Sequence, residues 1–335
     1  MPQMNEDKIN NIFKNFERLT ALVIGDVMID AYWWGQVNRI SPEAPVPIVA
    51  VKKHENRLGG AGNVALNIQA LGANPILCAI SGDDNSADDL LMLLAEQGLS
   101  SEGVLRSKDR ITTVKTRILG NQHQMLRIDS ETEKDLNSDE ELAFIELVKK
   151  LIQTKNPDVI IFEDYNKGLL TQFVIEEIIQ EAKKMNIPIS VDPKKKNFFC
   201  YRGVDLFKPN LKELKEGLNI EFDVKKNEEL KSAIEKLRVA IDAKCVMVTL
   251  SEHGVIIKND KEVFQYPAFL RNISDVSGAG DTVISVASLC LALKLNMSEI
   301  AQIANLSGGL VCEYVGVVPI DKKQLKSESI IHLTR

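Results

Sequence analysis

The chain is poor in the residues that build disulfide frameworks and metal centres. Among its 335 residues are five cysteines and four histidines, and the cysteines are scattered without a CxxC pair or a histidine at metal-ligand spacing. This pattern argues against a structural zinc site and is typical of buried thiols in a reducing compartment. An excess of basic charge is missing too, since 41 basic residues stand against 47 acidic ones for a net charge of −6. We therefore expect no nucleic-acid partner.

Long apolar segments are absent as well. No stretch approaches the roughly 18 consecutive apolar residues of a membrane-spanning helix, and the polar N-terminal segment has no apolar core followed by a cleavage site. From these two absences we expect a cytoplasmic protein that does not enter a membrane.

Two familiar phosphate-binding patterns are also missing. A GxxxxGK[ST] P-loop occurs nowhere in the chain. The first apolar run ends in GDVMID, residues 25–30, where a dinucleotide-binding fold would place GxGxxG. A nicotinamide-dependent dehydrogenase is therefore excluded, and any nucleotide phosphates must be held by other means.

The most informative segment that is present is DVSGAGDT, residues 275–282. Gly278 and Gly280 permit a tight turn and a close backbone approach to a ligand, and the apolar run after them predicts a buried helix whose free N–H groups face the loop. A carboxylate beside such an anion site, here Asp281, is repelled unless it does chemistry such as taking a proton from an attacking hydroxyl. The alternative is a glycine-rich turn in which Asp281 caps the helix, and the segment alone does not decide between them.

Apolar runs of strand length alternate with amphipathic segments of helix length along most of the chain. This alternation predicts one α/β domain over residues 1–335, with a mostly parallel central sheet and helices on both faces. Polar residues follow several strands at the edge where open α/β sheets bind ligands, although each one alone is more simply a loop cap. These residues are Asp26, Asp164, Asp192, Asn210 and Thr249.

Two segments depart from the alternation, at about 32–55 and 108–130. Both have strand-like patterns, and prolines at 42, 45 and 47 argue against a core helix in the first. We expect the two segments to pair as one small sheet that covers the ligand edge as a lid and excludes water. Between them, RLGGAGN predicts a second glycine-rich turn that runs into a helix ending near Gly72.

Five motifs follow one another along the chain. They are a strand ending in GD with a second Asp (25–30), the glycine-rich turn GGAGN (59–63), a DP step (192–193), an NxxE pair (210–213) and the glycine-rich turn GAGD (278–281). With this ordered set the chain resembles the ribokinase-like, PfkB-type carbohydrate kinases over nearly its whole length. Ser277 departs from the threonine usual in DxTGAGD, a change that keeps the hydroxyl. The resemblance implies a ribokinase-like fold with a β-sheet lid, and an ATP-dependent sugar kinase that uses Mg²⁺.

The resemblance also implies roles for particular residues. Asp281 would be the general base, and the transferring phosphoryl group would be held by N–H groups of Gly278, Ala279 and Gly280. Asn210 and Glu213 would lie near Mg²⁺ through waters, although a helix N-cap with a first-turn Glu explains this pair better without the resemblance. Asp275 would be the carboxylate of a K⁺ site. The nucleotide side would be formed by Lys194, Asn210, Glu213, Thr249, Ser251, Gly254 and Asn305, with Lys194 equally explained as a solvated surface lysine.

Within the family, the chain resembles the kinases that phosphorylate D-glycero-β-D-manno-heptose 7-phosphate at O1 in ADP-heptose synthesis. The resemblance rests on the segments SPEAPVP at 41–47, TRILGNQHQMLRID and EDYNKG. Contacts to the sugar would come from Asp26, Asp30, Gly59, Gly60 and Asn63. Its phosphate would be bound by Arg117, Arg127 and Lys167, each of which could instead be an ordinary exposed charge, and Arg127 suits a surface pair with Asp129. The sequence has no HxGH signature, so we expect the adenylyltransferase as a separate chain.

The lid strands of such kinases commonly pair between subunits, and the alternating run from Tyr32 to Val51 suits this use, which predicts a homodimer. Two alternatives to the heptose kinase stay open. One is another sugar or nucleoside kinase of the same fold. The other is a catalytically silent sugar-binding relative, whose mark would be the loss of the base or of the anion loop.

Overall fold

The computed structural model describes residues 4–121, 123–224, 226–269 and 271–334, and the ends of the predicted domain, 1–3 and 335, lie outside these ranges. The helices are α1 (Glu6–Phe16), α2 (Ala61–Ala70), α3 (Asn85–Glu96), α4 (Ser138–Lys155), α5 (Gln172–Lys184), α6 (Leu211–Leu218), α7 (Asn227–Ala240), α8 (Ala279–Ala292), α9 (Met297–Val311) and α10 (Lys322–Leu333). The strands are β1 (Thr20–Gly25), β2 (Val27–Ile40), β3 (Pro47–Gly60), β4 (Asn74–Gly82), β5 (Gly103–Ser107), β6 (Val114–Gly120), β7 (His123–Ser130), β8 (Val159–Glu163), β9 (Ile189–Asp192), β10 (Leu206–Phe207), β11 (Cys245–Thr249), β12 (Val255–Lys258) and β13 (Val263–Tyr266).

The central sheet has nine strands in the order β13-β12-β11-β10-β9-β8-β1-β4-β5. Neighbouring strands run parallel from β5 to β11, and β12 and β13 add an antiparallel edge. Successive side chains of a strand point to opposite faces, so in β1 Leu22 and Ile24 join one core cluster, whereas Ala21 and Val23 join the other. Helices cover both faces, which confirms the predicted α/β class.

A separate sheet of four strands, in the order β3-β2-β6-β7, is formed by the two irregular segments. The pairs β2/β3 and β6/β7 are antiparallel, and β2 runs parallel to β6. The first predicted segment, 32–55, was too narrow, because pairing of Val27 with Gly60 and of Met28 with Gly59 extends the β2/β3 ladder to the base of the sheet. Residues 57–60 therefore end a strand, where the sequence predicted a turn. The second, 108–130, encloses β6 and β7.

No helix within the described ranges is both long enough and apolar enough to cross a bilayer.

Helix α8 is the element that positions the candidate site. Its apolar sequence buries nearly every residue from Asp281 to Cys290, as expected for a helix that is hydrophobic on all sides. The helix contacts α2, α9, β8 and β9. The last residues of β8 and β9 are Glu163 and Asp192, so the carboxyl ends of two central strands meet the N-terminus of α8.

Candidate active site

The N-terminus of α8 begins at a glycine. Its N-cap residue is Gly278, with φ of +78°, so the helix begins without a capping side chain. Asp281 stands three residues after the cap, and the alternative in which it caps the helix is therefore wrong. A Cβ on Gly278 would come within 3.0 Å of Asn63 Nδ2. The N–H of Ala279 already donates to Val276 O at 3.3 Å.

The Asp281 side chain is buried and held by two donors. Asn63 Nδ2 donates to Oδ2 at 2.7 Å, and the Tyr165 hydroxyl donates to Oδ1 at 2.9 Å. Burial raises the pKa of Asp281 above its ordinary value, the neighbouring Asp192 raises it further, and the two donors oppose the rise. A carboxylate with a raised pKa and fixed orientation is suited to accepting a proton.

Three buried carboxylates meet at this point. Single oxygens of Glu163, Asp192 and Asp281 lie within 4.8 Å of one another. The buried Lys208 ammonium is 2.8 Å from Asp192 Oδ2 and supplies a positive charge within the cluster. Glu163 Oε2 has no hydrogen-bond partner within the described part of the chain. Burial, followed by repulsion from Asp192 and Asp281, raises the pKa of Glu163 well above its ordinary value.

Asp26 lies beneath the loop that follows β8. Its buried carboxylate accepts the backbone N–H groups of Tyr165 at 2.9 Å, Lys167 at 3.0 Å and Leu169 at 3.4 Å. This loop turns through two positive-φ residues, Asn166 and Gly168. Asp26 therefore orders the loop after β8. Its position after a strand in the sequence did not predict this role.

Asp30 lies on β2 with its carboxylate against Gly59 of β3, where a Cβ would meet Asp30 Oδ2 at 2.3 Å. The Arg117 guanidinium on β6 forms an ion pair with Asp30 Oδ1. Arg117 and Arg57 also lie over the Tyr32 ring, at 5.2 and 4.9 Å from its centroid. The predicted sugar ligand Asp30 and the predicted phosphate ligand Arg117 are thus brought together.

The other two predicted phosphate ligands have carboxylate partners. Lys167 Nζ is 2.8 Å from Glu131 and 3.2 Å from Glu133. Arg127 donates to both oxygens of Asp129 at 2.9 and 3.0 Å, and about half of its side chain is exposed. The surface pair that the sequence left open for Arg127 is therefore present.

Asn210 and Glu213 form the capping box of α6, the alternative that the sequence also left open. Asn210 Oδ1 accepts the Glu213 N–H at 2.8 Å, and Glu213 Oε2 accepts the Asn210 N–H at 2.9 Å. The other Glu213 oxygen accepts from Lys194 Nζ. Lys194 is thus fixed by an ion pair, and the two predicted metal-side residues keep only their remaining lone pairs for water.

The predicted nucleotide-side residues come from three elements at one end of the central sheet. Thr249 ends β11 and forms an isolated parallel bridge with Asn210. Ser251 and Gly254 both have positive φ in the turn before β12, and a Cβ on Gly254 would meet Tyr266 O at 2.0 Å. Asn305 on α9 donates its amide to Pro267 O at 2.8 Å.

Asp275 ties the loop before α8 to the segment after α9. Oδ1 accepts from the backbone N–H and hydroxyl of Ser277 at 3.0 and 2.9 Å, and Oδ2 accepts from the Gly316 N–H at 2.9 Å. Burial alone would raise the pKa of Asp275, but these donors hold it below its ordinary value. Asp275 is therefore an ionised carboxylate with most of its acceptor positions filled.

Sequence reasoning missed Tyr165, Lys208 and Glu163. Their only signal was position, since each lies at or near the carboxyl end of a central strand. An aromatic residue and a lysine in such loops are common without a role at a site, so position did not distinguish them. The structure does, because it brings all three to the surroundings of Asp281.

Two solved structures that share the fold are a phosphofructokinase and a ribokinase. Phosphofructokinase-2 from Escherichia coli in complex with potassium matches with a TM-score of 0.75 and 20% identity, over 95% of this chain and 99% of that one. Ribokinase from Arabidopsis thaliana complexed with ribose and ATP matches with a TM-score of 0.68 and 17% identity, over 92% of this chain and 98% of that one. The class of protein is therefore that of the ribokinase-like α/β fold.

The family follows from a sequence comparison. The family model of the pfkB family carbohydrate kinases matches residues 19–323. The chain therefore belongs to this family of ATP-dependent sugar kinases. The chain is 38% identical over 93% of its length to the bifunctional protein HldE of Desulfatibacillum aliphaticivorans, and 40% identical over 88% to that of Aliarcobacter butzleri. It spans 63% and 61% of these two relatives, less than two thirds of their length.

Proposed function

We propose that this kinase transfers the γ-phosphoryl group of ATP to the anomeric O1 of D-glycero-β-D-manno-heptose 7-phosphate. The product is the 1,7-bisphosphate, a precursor for ADP-heptose and the lipopolysaccharide core. Two observations support the choice of sugar: the lid and loop phrases of the sequence, and the name that the curated relatives share. The observation that carries the reaction type is the buried Asp281 carboxylate at the N-terminus of α8.

The proposed step is an in-line displacement. Asp281 accepts the proton of the O1 hydroxyl as that oxygen forms its bond to the γ-phosphorus, while the bond from this phosphorus to the bridging oxygen breaks and ADP leaves. Free N–H groups at the start of α8 face the charge that develops on the phosphoryl oxygens. The backbone of Gly278, Ala279 and Gly280 would provide this cradle, with the Ala279 N–H exchanging its 3.3 Å hydrogen bond to Val276 O for one to the phosphoryl group. A Cβ on Gly280 would enter the space 3.6 Å from Asp192 Oδ2.

Two cations are part of the proposal. Mg²⁺ neutralises the β- and γ-phosphates when it is bound, and Asn210 and Glu213 would hold it through waters, which fits oxygens already engaged in a capping box. Asp275 would contribute a carboxylate to a K⁺ site. Its oxygens already accept from Ser277 and Gly316, and the phosphofructokinase-2 of Escherichia coli, which shares the fold, is described in complex with potassium.

On the nucleotide side we propose contacts from Lys194, Thr249, Ser251, Gly254 and Asn305. On the sugar side, Asp30 would accept hydroxyls beside the close backbone of Gly59 and Gly60, and Arg117, Arg127 and Lys167 would surround the 7-phosphate. We now assign Asn63 to the orientation of Asp281, since its amide donates there. Asp26 would contribute to sugar binding through the loop that it orders.

The architecture of the proposal is a single kinase domain over residues 1–335, with the four-stranded sheet as its lid. We propose a homodimer that pairs through this sheet, because its edge strand β7 is exposed along its whole length and carries Met125, Leu126 and Ile128 at the surface. An adenylyltransferase would use the product downstream.

The test is ADP release in the presence of ATP and Mg²⁺, with heptose 7-phosphate compared against ribose, fructose 6-phosphate and adenosine. We expect turnover with the heptose phosphate, and a loss of about 10²–10⁴ in rate for Asp281→Asn, the range of a general-base contribution. The matched control is Asp205→Asn. Asp205 precedes β10, at the amino ends of the strands and away from Asp281, and it pairs there with Lys244. This control is expected to keep the wild-type rate.

Each other outcome removes a part of the proposal. Turnover with another acceptor only would leave a sugar or nucleoside kinase and discard the heptose phosphate. ATP binding without turnover on any acceptor would favour the silent relative. Full activity of Asp281→Asn would exclude Asp281 as the base.

A further inference from the structure

Tyr165 lies outside the predicted site and contacts the Asp281 carboxylate. It lies two residues after the end of β8, and its backbone N–H donates to Asp26 Oδ2 at 2.9 Å, which fixes the start of the loop. Its hydroxyl then reaches Asp281 Oδ1 at 2.9 Å. Lys194 Nζ, which forms an ion pair with Glu213, lies 5.3 Å from the centroid of the Tyr165 ring. The tyrosine is thus held by backbone, ring and hydroxyl together.

Tyr165 and Asn63 divide the two oxygens of Asp281 between them. Asn63 on α2 donates to Oδ2 at 2.7 Å, so the carboxylate plane is fixed by one donor on each oxygen. Each oxygen keeps one further lone pair for the hydroxyl of a substrate. Two donors from elements distant in sequence therefore determine which lone pairs of Asp281 remain open.

The charges around Asp281 make these donors important. The carboxylates of Glu163 on β8 and Asp192 on β9 face it, and Lys208 next to β10 provides the nearest ammonium. Burial raises the pKa of Asp281 and Asp192 adds to the rise, whereas hydrogen bonds from Asn63 and Tyr165 lower it. Burial also raises the pKa of the Tyr165 hydroxyl well above 10, so it stays protonated and can only donate to the carboxylate.

We propose that Tyr165 is a positioning residue that orients Asp281 and keeps it ionised for its role as general base. This inference rests on the proposed function, since it assigns a task to a residue that acts through Asp281. It predicts a change in the pH dependence of the reaction. A tyrosine with a purely structural role would not produce this change.

The test is the pH profile of kcat/KM for the best acceptor of the substrate panel, at saturating ATP and Mg²⁺. Activity needs ionised Asp281, so the profile falls on the acid side as pH drops through its pKa. Tyr165→Phe is expected to move this acid limb upward by about one to two pH units, as for the loss of a hydrogen bond to a charged group. At high pH, where Asp281 is ionised in both proteins, the variant should approach the wild-type rate.

The matched control is Tyr201→Phe. Tyr201 is also buried and donates its hydroxyl to a buried carboxylate, Asp164 Oδ2, at 2.8 Å. Because this hydroxyl does not reach Asp281, the acid limb of the control should coincide with that of the wild type. An equal shift in both variants would overturn the inference, since it would assign the effect to general disturbance of buried tyrosines.

A second variant keeps the test decisive if Tyr165→Phe does not fold. Replacement of Tyr165 by 3-fluorotyrosine preserves shape and makes the hydroxyl a stronger donor, so the acid limb should move downward. Two results would overturn the inference while the loss of activity in Asp281→Asn still supports the proposed function. One is an acid limb of the pH profile that the fluorinated residue does not move. The other is a rate that Tyr165→Phe lowers by the same factor at every pH. Full activity of Asp281→Asn, or a wild type without turnover on any acceptor, overturns the proposed function and this inference together.

Discussion

At the scale of single residues, the site is a set of buried charges that differ in how they are compensated. Asp26 has three backbone donors, Asp281 has an amide and a hydroxyl, and Asp192 has the Lys208 ammonium. Removing one partner of a buried ion pair is costly because it leaves an uncompensated charge away from water. Glu163 Oε2 is without a partner among the described residues, and burial, followed by repulsion from Asp192 and Asp281, raises the pKa of this carboxyl well above its ordinary value.

Lys208 provides a direct test at this scale. Lys208→Met keeps the aliphatic stem and removes the ammonium, which leaves Asp192 beside Glu163 and Asp281. We expect a loss of about 3–5 kcal/mol in the free energy of unfolding, measured by urea titration. In the control Lys244→Met, the lysine is 77% exposed and pairs with Asp205 at the surface, so the change should be under about 1 kcal/mol. Similar values for the two variants would contradict the assigned role of Lys208.

At the scale of elements, the first turn of α8 determines the geometry of Asp281, the proposed base. Its start at a positive-φ glycine turns the chain so that Asp281 faces Asn63 on α2. The Thr282 hydroxyl donates to Asn67 Oδ1 at 3.0 Å, and Asn67 Oδ1 also accepts the Ile320 N–H at 3.0 Å. Contacts between α8 and α2 thus continue along the helix pair, and the orientation of Asp281 depends on how these two helices pack.

Gly278→Ala tests the turn that begins α8. An alanine at φ of +78° is strained, and its Cβ would come within 3.0 Å of Asn63 Nδ2. We expect the free energy of unfolding to fall by about 1–2 kcal/mol and kcat to fall with it, because the Asn63 amide is displaced from Asp281. Urea unfolding and steady-state kinetics measure both effects.

The same substitution inside α9 serves as the control for this prediction. Gly309 has no contact closer than 3.4 Å at its Cβ position, so Gly309→Ala should leave stability unchanged or raise it by up to about 1 kcal/mol. If Gly278→Ala kept both wild-type stability and wild-type turnover, the proposed function of the turn would be wrong.

At the scale of the whole molecule, the four-stranded sheet stands apart from the central sheet and contacts the segment after α9. Arg57 on β3 donates to Val317 O at 3.1 Å, and the same segment donates its Gly316 N–H to Asp275. The sheet therefore connects to the loop before α8. Its outer strand leaves apolar side chains exposed, and an unpaired edge of this kind is a site for association.

The dimer that we propose is tested with charges on this strand. Leu126 and Ile128 lie on one face of β7 and are about half exposed, and we expect Leu126→Lys/Ile128→Lys to sediment as a monomer where the wild type sediments as a dimer. The control is Leu142→Lys on α4, which is equally exposed but distant from the sheet. A monomeric wild type, or a double variant that still dimerises, would exclude the lid as the interface.

The sequence by itself determined the order of helices and strands and the position of the anion loop. Both depend on local patterns: apolar runs on the strands, an apolar run after GAGD, and an NxxE pair that caps α6 through contacts between near neighbours. The same patterns predicted which residues lie at the carboxyl ends of the strands. They also predicted the small sheet, although the first of its two segments was predicted too narrow.

Only the tertiary structure decided which of these residues contact one another. Asn63 and Tyr165 reach Asp281 across 218 and 116 residues of chain, and Asp26 holds Lys167 across 141. Strand register and helix packing fix such contacts, and neither is encoded in the spacing of residues along the sequence. A local pattern can therefore place Asp281 at the start of a helix, whereas the packing of α2 and of the loop after β8 against α8 determines how its carboxylate is held.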